Sequence, residues 1–343
     1  MKKLLNTLFV TTQGAYLYKE GETVCVRVEG KDRLKLPICT IGGIVCFGQV
    51  SCSPFLLGHC AENHVAVSFM TENGRFLARL QGPVSGNVLL RREQYRRADD
   101  PTASAAIARS VLTAKIANSR TVLLRAARDH GDKTDFAILE RAAETLSKIL
   151  SRLSNDLAME ELRGMEGEAA RAYFGAFNEC ITGDRESFFF HERSRRPPLD
   201  NMNALLSFLY TLLAHDVAAA LEGVGLDPAV GFLHRDRPGR PGLALDIMEE
   251  FRPFLADRLA LSLVNRRQVN ARGFRKTESG AVQMSEETRK EVIVAWQKRK
   301  QEEIRHPFIG EAAPIGLLPH LQAMLLARNL RGDLDGYPSF LWR

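Results

Sequence analysis

Near residue 98 the sequence changes its hydrophobic period, and that break constrains the fold more than any other feature. Ahead of it, short runs rich in Val, Ile, Phe and Cys alternate with turn residues. Thr23–Val28 alternates in the manner of a half-buried strand. Leu34–Pro37, Ile41–Phe47, Val65–Met70 and Phe76–Leu80 predict further strands, and Ser53–Glu62 predicts one short helix. Behind the break the pattern is helical almost throughout. Asp100 is placed to cap a helix whose first residue is Pro101, both favoured at those positions. Further helices are predicted over about 133–153, 170–179, 202–221, 245–265, 285–305 and 317–331, with Gly/Pro clusters cutting the series at 195–198 and 236–242. The fold class is therefore α+β: a small β-rich domain over 1–97 and a larger all-helical domain over 98–343.

With 45% apolar and 26% charged residues, the chain can bury a substantial core and is not mainly disordered. No run of 18 apolar residues occurs, so no membrane span is expected. The first 21 residues start like a signal peptide, but Asn6, Thr7, Thr11, Thr12 and Gln13 interrupt the apolar stretch, which reads instead as a first strand of a cytoplasmic protein. Six cysteines without a CxxC pair exclude a zinc ribbon and a thioredoxin motif, and predict buried free thiols suited to a reducing compartment. The net charge of +6 resides entirely in residues 1–97, the remainder being neutral. So mild a basicity is only weak support for nucleic acid. The C-terminal tail should be irregular, with Phe340 and Trp342 docked on the body.

Three segments carry groups able to do chemistry. Glu166 stands between Gly164 and Gly167 at the start of an alanine-rich helix. It is either a helix N-terminal carboxylate stabilised by the dipole, or the two glycines mark a place where the backbone packs closely or something bulky approaches. His234 ends the apolar run Gly231–Leu233 and opens a Gly/Pro loop bearing Arg235, Arg237 and Arg240, whose guanidinium forks suit phosphate. Asp246, Glu249 and Glu250 follow on one helix, three and four residues apart, where like charges repel unless a cation or strong donor intervenes. Glu166, His234 and Glu249, with Asp246 as a further candidate, would suit a hard divalent cation, Mg²⁺ or Mn²⁺. No HExxH is present to favour zinc, and no phosphate-loop, GxSxG or cysteine-nucleophile signature occurs. Arg266, Arg267, Arg272, Arg275 and Lys276 form an acid-free stretch able to track phosphates, while Lys298–Lys300 reads as a solvated helix face. Lys115, Asn118 and Arg125 share the helix after Pro101 and are candidates to stand behind the site.

Four motifs in this order resemble the universal CRISPR-associated endonuclease/integrase family, in its subtype I-C branch. They are AKIANSRTVLL at 114–124, GMEGEAARAYF at 164–174, RRPPLDNMNALLSFLYTLL at 195–213 and GFLHRDRPGRPGLALDIMEEFRP at 231–253. The resemblance implies catalytic and metal-binding roles for Glu166, His234 and Glu249, with Asp246 near the metal. Many members carry aspartate where this sequence has Glu249. It also implies a homodimer joined through the N-terminal domain, and a heterohexamer bridged by a small ferredoxin-like partner. Double-stranded and branched DNA would be the substrate, a 3′-hydroxyl attacking a phosphodiester of the repeat to insert a spacer in antiviral defence. The competing readings are a non-catalytic DNA-binding scaffold of the same complex, and a helical regulator whose acids are structural.

Overall fold

The computed structural model describes residues 6–342 apart from 73, 81, 83–87, 131–134 and 154–156, and the side chain of His130. Residues 1–5 of the expected first strand lie outside this set. The chain divides into two compact units: 1–86 with 285–302 and 314–317, and 87–284 with 303–313 and 318–343.

In the first unit, β1 (Asn6–Val10), β5 (Ile41–Phe47) and β7 (Ala66–Met70) run parallel, and β8 (Phe76–Arg79) closes the sheet antiparallel to β7. A second sheet is an antiparallel meander of β2 (Tyr16–Glu20), β3 (Thr23–Val28) and β4 (Lys31–Pro37), extended by the short β6 (Ser51–Cys52) beside β2. Between β6 and β7 lies α1 (Pro54–Glu62), capped where expected: Ser53 Oγ accepts from Leu56 N at 3.1 Å, and Pro54 takes the first turn, where no N–H is missed. Leu17, Val24, Ile44, Leu56 and Val67 form the buried core. α9 (Glu286–Gln301) belongs to this unit too: Gln297 donates to the Thr7 carbonyl at 2.9 Å and Trp296 is fully buried. Lys300, expected on a solvated face, is buried there.

The second unit starts with α2 (Val88–Asp99), which the sequence did not predict because its RREQYRR run is almost wholly polar. α3 (Pro101–His130) follows with Asp100 capping it, Oδ1 accepting from Thr102 N at 2.8 Å and Ala103 N at 3.1 Å. It packs against α4 (Phe136–Arg152) and α5 (Met159–Phe177). α5 begins eleven residues earlier than the alanine-rich pattern at 170 suggests, so Gly164, Glu166 and Gly167 are inside the helix rather than at its start. Close packing does not explain the glycines. A Cβ on Gly164 would meet nothing within 4 Å, and one on Gly167 only the Arg171 guanidinium at 3.7 Å.

α6 (Asn201–Val224) is the one described helix long and apolar enough to cross a membrane, yet most of its residues are buried against the helices of this unit. The expected helix over 245–265 is in fact three pieces: α7 (Gly242–Glu249), a π-helical stretch at Arg252–Asp257, and α8 (Arg258–Asn265). Pro253 lacks the N–H a continuous helix needs and marks the interruption. The unit is not purely helical: β9 (Phe274–Lys276) pairs with β10 (Val282–Met284), and a second ribbon joins β11 (Glu303–Arg305) to β12 (Ala312–Pro314). The last helix is α10 (Leu318–Leu330).

The tail is docked as expected. Asn118 donates to the carbonyls of Glu250 at 2.7 Å and Phe340 at 2.9 Å and accepts from Trp342 N at 2.8 Å. Arg125 and Arg258 lie over the Trp342 ring at 4.0 and 4.4 Å. Asn118 and Arg125 are thus fastenings for the tail, not groups behind the acids.

Candidate active site

The two acids of α7, Asp246 and Glu249, and Glu250 at its C-terminal cap each have a different partner. Asp246, 1% exposed, takes the loop: its Oδ2 accepts from Phe232 N at 2.6 Å and Leu233 N at 3.0 Å, and Oδ1 accepts from His234 N at 3.0 Å. Glycine makes this approach available, because a Cβ on Gly231 would sit 2.7 Å from Asp246 Oδ2. Glu250 takes the tail, accepting from Tyr337 Oη, Gln322 Nε2 and Phe340 N. Glu249 alone points towards Lys115 and Arg252.

His234 Nδ1 lies 2.6 Å from Asp246 Oδ1. A carboxylate already accepting three backbone N–H groups can only accept here too, so Nδ1 carries the proton and Nε2 presents its lone pair. This is the support by which metal-ligating histidines are usually oriented. Asp246 is spent on that support, so both of its oxygens are committed. Asp246→Asn should misplace the imidazole and weaken Mn²⁺ binding about 10–100-fold, measurable by titration calorimetry on a chain whose circular dichroism is unchanged.

Lys115 links α3 to the acids. Its Nζ is 2.5 Å from Glu166 Oε1 and 2.9 Å from Glu249 Oε2, so one ammonium neutralises carboxylates from two helices. Burial works against the lysine's charge, but Glu249 and then Glu166 outweigh it and raise its pKa above the ordinary value. Glu249 is also buried, which would raise its pKa, yet Arg252, Lys115 and His234 together bring it down to about 2. The carboxylate is therefore ionised at any physiological pH. Its Oε2, though ion-paired, has no aligned hydrogen-bond donor. Arg163, one turn before Glu166, donates to the Leu233 carbonyl at 3.1 Å and so fastens the His234 loop to α5.

Lys115, Glu166, Glu249 and Arg252 border a cavity of about 40 Å³, also lined by Tyr210 and Asp257 but not by His234, with room for little more than a water or an ion. Among the described residues no three His, Cys, Asp or Glu side chains converge closely enough to enclose an ion by themselves. Lys115 stands between the two glutamates. In donor chemistry alone, two carboxylates sharing one positive partner and a buried oxygen lacking an aligned donor suit a hard cation, and the His234 Nε2 has no hydrogen-bond partner among the described residues.

In the cavity wall, Asp257 accepts from Tyr210 Oη at 2.6 Å and Tyr173 Oη at 2.9 Å, and burial pushes it up to about 6 against those hydrogen bonds. The guanidiniums of Arg193 and Arg252 lie over the Tyr210 ring at 5.2 and 5.0 Å. Sequence reading missed this layer and the part of Arg252. The one available signal was the i,i+3 spacing of Glu249 and Arg252. Because folded Asp257 binds its proton more tightly than in the unfolded chain, stability should fall as pH rises from about 4 to about 6, by about 3 kcal/mol. Asp257→Asn should flatten that stretch of the Tm-versus-pH curve by calorimetry. Glu249 acts in the opposite sense, its contribution being lost as pH falls from about 4.5 towards 2.

The basic candidates divide into two groups. Arg235 is exposed and paired with Glu160 at 2.8 Å. Arg240 feels Arg237, Arg195 and Arg196, and burial followed by that crowding lowers its pKa. Arg195, Arg196, Arg237 and Arg240 have no ion pair among the described residues, and Asp246 offsets only part of the crowding at Arg240, so an arginine-rich rim adjoins the Asp246–His234 loop. Arg266, Arg267 and Arg272 are exposed on the segment after α8, and Arg275 and Lys276 are exposed on β9. Arg267 lies near Asp184, whose pKa is lowered mainly by Ser187.

Residues 8–298 match the family model for CRISPR associated protein Cas1. A CRISPR-associated endonuclease Cas1 of Chlorobaculum tepidum is 59% identical over 343 residues, covering all of both chains. The fold is similar to that of a casposase bound to an integration product, with a TM-score of 0.84 at 21% identity over 99% of this chain and 95% of that one. It is also similar to a chain from a Cas6-RT-Cas1–Cas2 complex, with a TM-score of 0.83 at 23% identity over 100% of this chain and 36% of that one.

Proposed function

Because the chain belongs to the Cas1 family, we propose that its Glu166, His234 and Glu249 are the metal-binding catalytic residues of a DNA endonuclease and integrase that adds spacers to a CRISPR array. The observation that carries this reading is the shared ammonium. Two carboxylates from distant segments converge on Lys115, and one of them, Glu249, also feels the charge of His234, which Asp246 orients. Held by these residues, Mg²⁺ or Mn²⁺ would polarise the scissile phosphate and lower the pKa of the attacking hydroxyl or water.

The chain's own groups do the remaining work. Asp246 keeps His234 in the Nδ1–H tautomer, so that Nε2 is available as a ligand or to take the proton of the attacking hydroxyl. Arg252 holds Glu249 ionised. Arg195, Arg196, Arg237 and Arg240 supply phosphate contacts next to the loop, and Arg266, Arg267, Arg272, Arg275 and Lys276 track the duplex further out. With water as nucleophile the result is cleavage; with a 3′-hydroxyl it is joining. The homodimer, the bridging ferredoxin-like partner, the heterohexamer, the subtype I-C assignment and work in the cytoplasm complete the proposal. The presence of Cas2 in the name of a similarly folded complex supports a protein partner.

The test is joining and cleavage of branched DNA in Mn²⁺ with the small partner present. Glu166→Ala and His234→Ala should abolish both reactions while DNA binding persists. Binding without chemistry in the unaltered protein would favour the scaffold reading. Duplex binding should weaken steeply with salt, and removing Arg237 and Arg240 together should reduce the log–log slope by about 2.

A further inference from the structure

Away from the acids, the first unit holds a group of thiols that the proposed reaction does not use. Cys46 lies on β5 of the mainly parallel sheet, and Cys52 lies on β6 of the other sheet. Their sulfurs are 3.9 Å apart. Cys46 is buried at 1% exposure, whereas Cys52 is partly exposed. Cys60, on α1, is buried in the same core. We propose that Cys46 and Cys52 form a reversible disulfide that staples the two sheets of the N-terminal unit under oxidising conditions.

The geometry assigns the order of events. Cys52 is the partly exposed residue of the pair, and the contact between the two sulfurs, in which either can donate, lowers its pKa against burial and raises that of Cys46. An accessible sulfur with a depressed pKa beside a buried second thiol is the usual arrangement of an attacking and a resolving cysteine. The Cys52 thiolate attacks a small-molecule disulfide, forming a mixed disulfide and releasing one thiolate. Cys46, losing its proton, then attacks the Cys52 sulfur and expels the second thiolate. The two protein thiols are oxidised by two electrons, and the small disulfide is reduced to two thiols. Closing the gap requires the sulfurs to move about 1.9 Å nearer, towards a bond of about 2.05 Å. Because only five residues separate them, the ring is small, but the bond joins strands that belong to different sheets.

The competing possibility is that the thiols are packing only, as small apolar groups in a core. Incubating the folded full chain with oxidised glutathione, then mapping peptides without reduction, separates the two. The expected result is an intramolecular Cys46–Cys52 link, a mass loss of two hydrogens, a Tm rise of a few degrees and full reversal by dithiothreitol. Cys46→Ala should instead accumulate the mixed disulfide on Cys52. Modification of only the exposed Cys39, a Cys52–Cys60 link, or unreacted Cys46 and Cys52 in the folded protein would each overturn the proposal. The readout is independent of DNA chemistry, so its failure leaves the proposed function untouched.

Discussion

Glu249→Gln is expected to cost at least about 10³-fold in strand joining under single-turnover conditions, equivalent to about 4 kcal/mol of transition-state stabilisation. The amide keeps the shape of the carboxylate and an oxygen for Arg252, but not the charge. Lys115 would then keep only Glu166, whose side chain is 34% exposed, and Arg252 only the electrostatic influence of Asp257 and Glu166. Leaving buried cations short of a partner costs about 3–5 kcal/mol, so calorimetry should show a Tm lower by about 10 °C. The two readouts separate the roles: a purely structural glutamate would lose stability but retain activity in the fraction still folded. Joining at the unaltered rate by Glu249→Gln would remove Glu249 from the catalytic set.

Lys115→Met should lower stability by an amount comparable to Glu249→Gln. Methionine fills the methylene volume of the lysine but leaves Glu249 with Arg252 as its one close cation, and Glu166 without its partner. A loss of about 3–5 kcal/mol is expected near neutral pH. The deficit should shrink as pH is lowered, because a glutamate deprived of its ammonium is more easily protonated and its folded-state pKa moves up from about 2. Mn²⁺ at millimolar concentration should restore Tm more in Lys115→Met than in the parent chain, where the ammonium already supplies charge. Equal stability of variant and parent across pH 5–8 would show that Lys115 is not what holds the two carboxylates together.

How much of this was legible in the sequence depended on period and polarity. Thr23–Val28 and Ile41–Phe47 were readable as strands because alternation or a short β-branched run leaves few alternatives, and both have those limits in the structure. α2 was missed because a helix with so few apolar residues has no stripe to detect, and its omission placed the boundary at 97/98 instead of near 86. No linear cut could assign α9 to the N-terminal unit, since its attachment runs through tertiary contacts such as Gln297 to Thr7. Gly164 and Gly167 suggested a helix start, but α5 runs straight through both, its own caps lying upstream at Ala158 and Glu161.

For the site, residue type identified Glu166, His234, Glu249 and Asp246 as candidates, and the structure brings Glu166 and Glu249 to one ammonium and Asp246 to His234. It was silent on which acid does what. Asp246, Glu249 and Glu250 look equivalent as a charge pattern, and only folding shows that one fixes a loop, one faces two cations and one clasps the tail. Asp257 and its two tyrosines left no pattern at all, being drawn from three separate elements.

That division of labour along α7 makes its length exact. An extra residue within Gly242–Glu249 would turn everything beyond it by about 100°. The acid now meeting Lys115 would swing towards the tail, and the tail's clasp would face away from Tyr337. Substitutions there can be graded, but insertions and deletions cannot. Among related chains, length variation should therefore spare these two turns of helix and gather in the exposed arginine loop just before them.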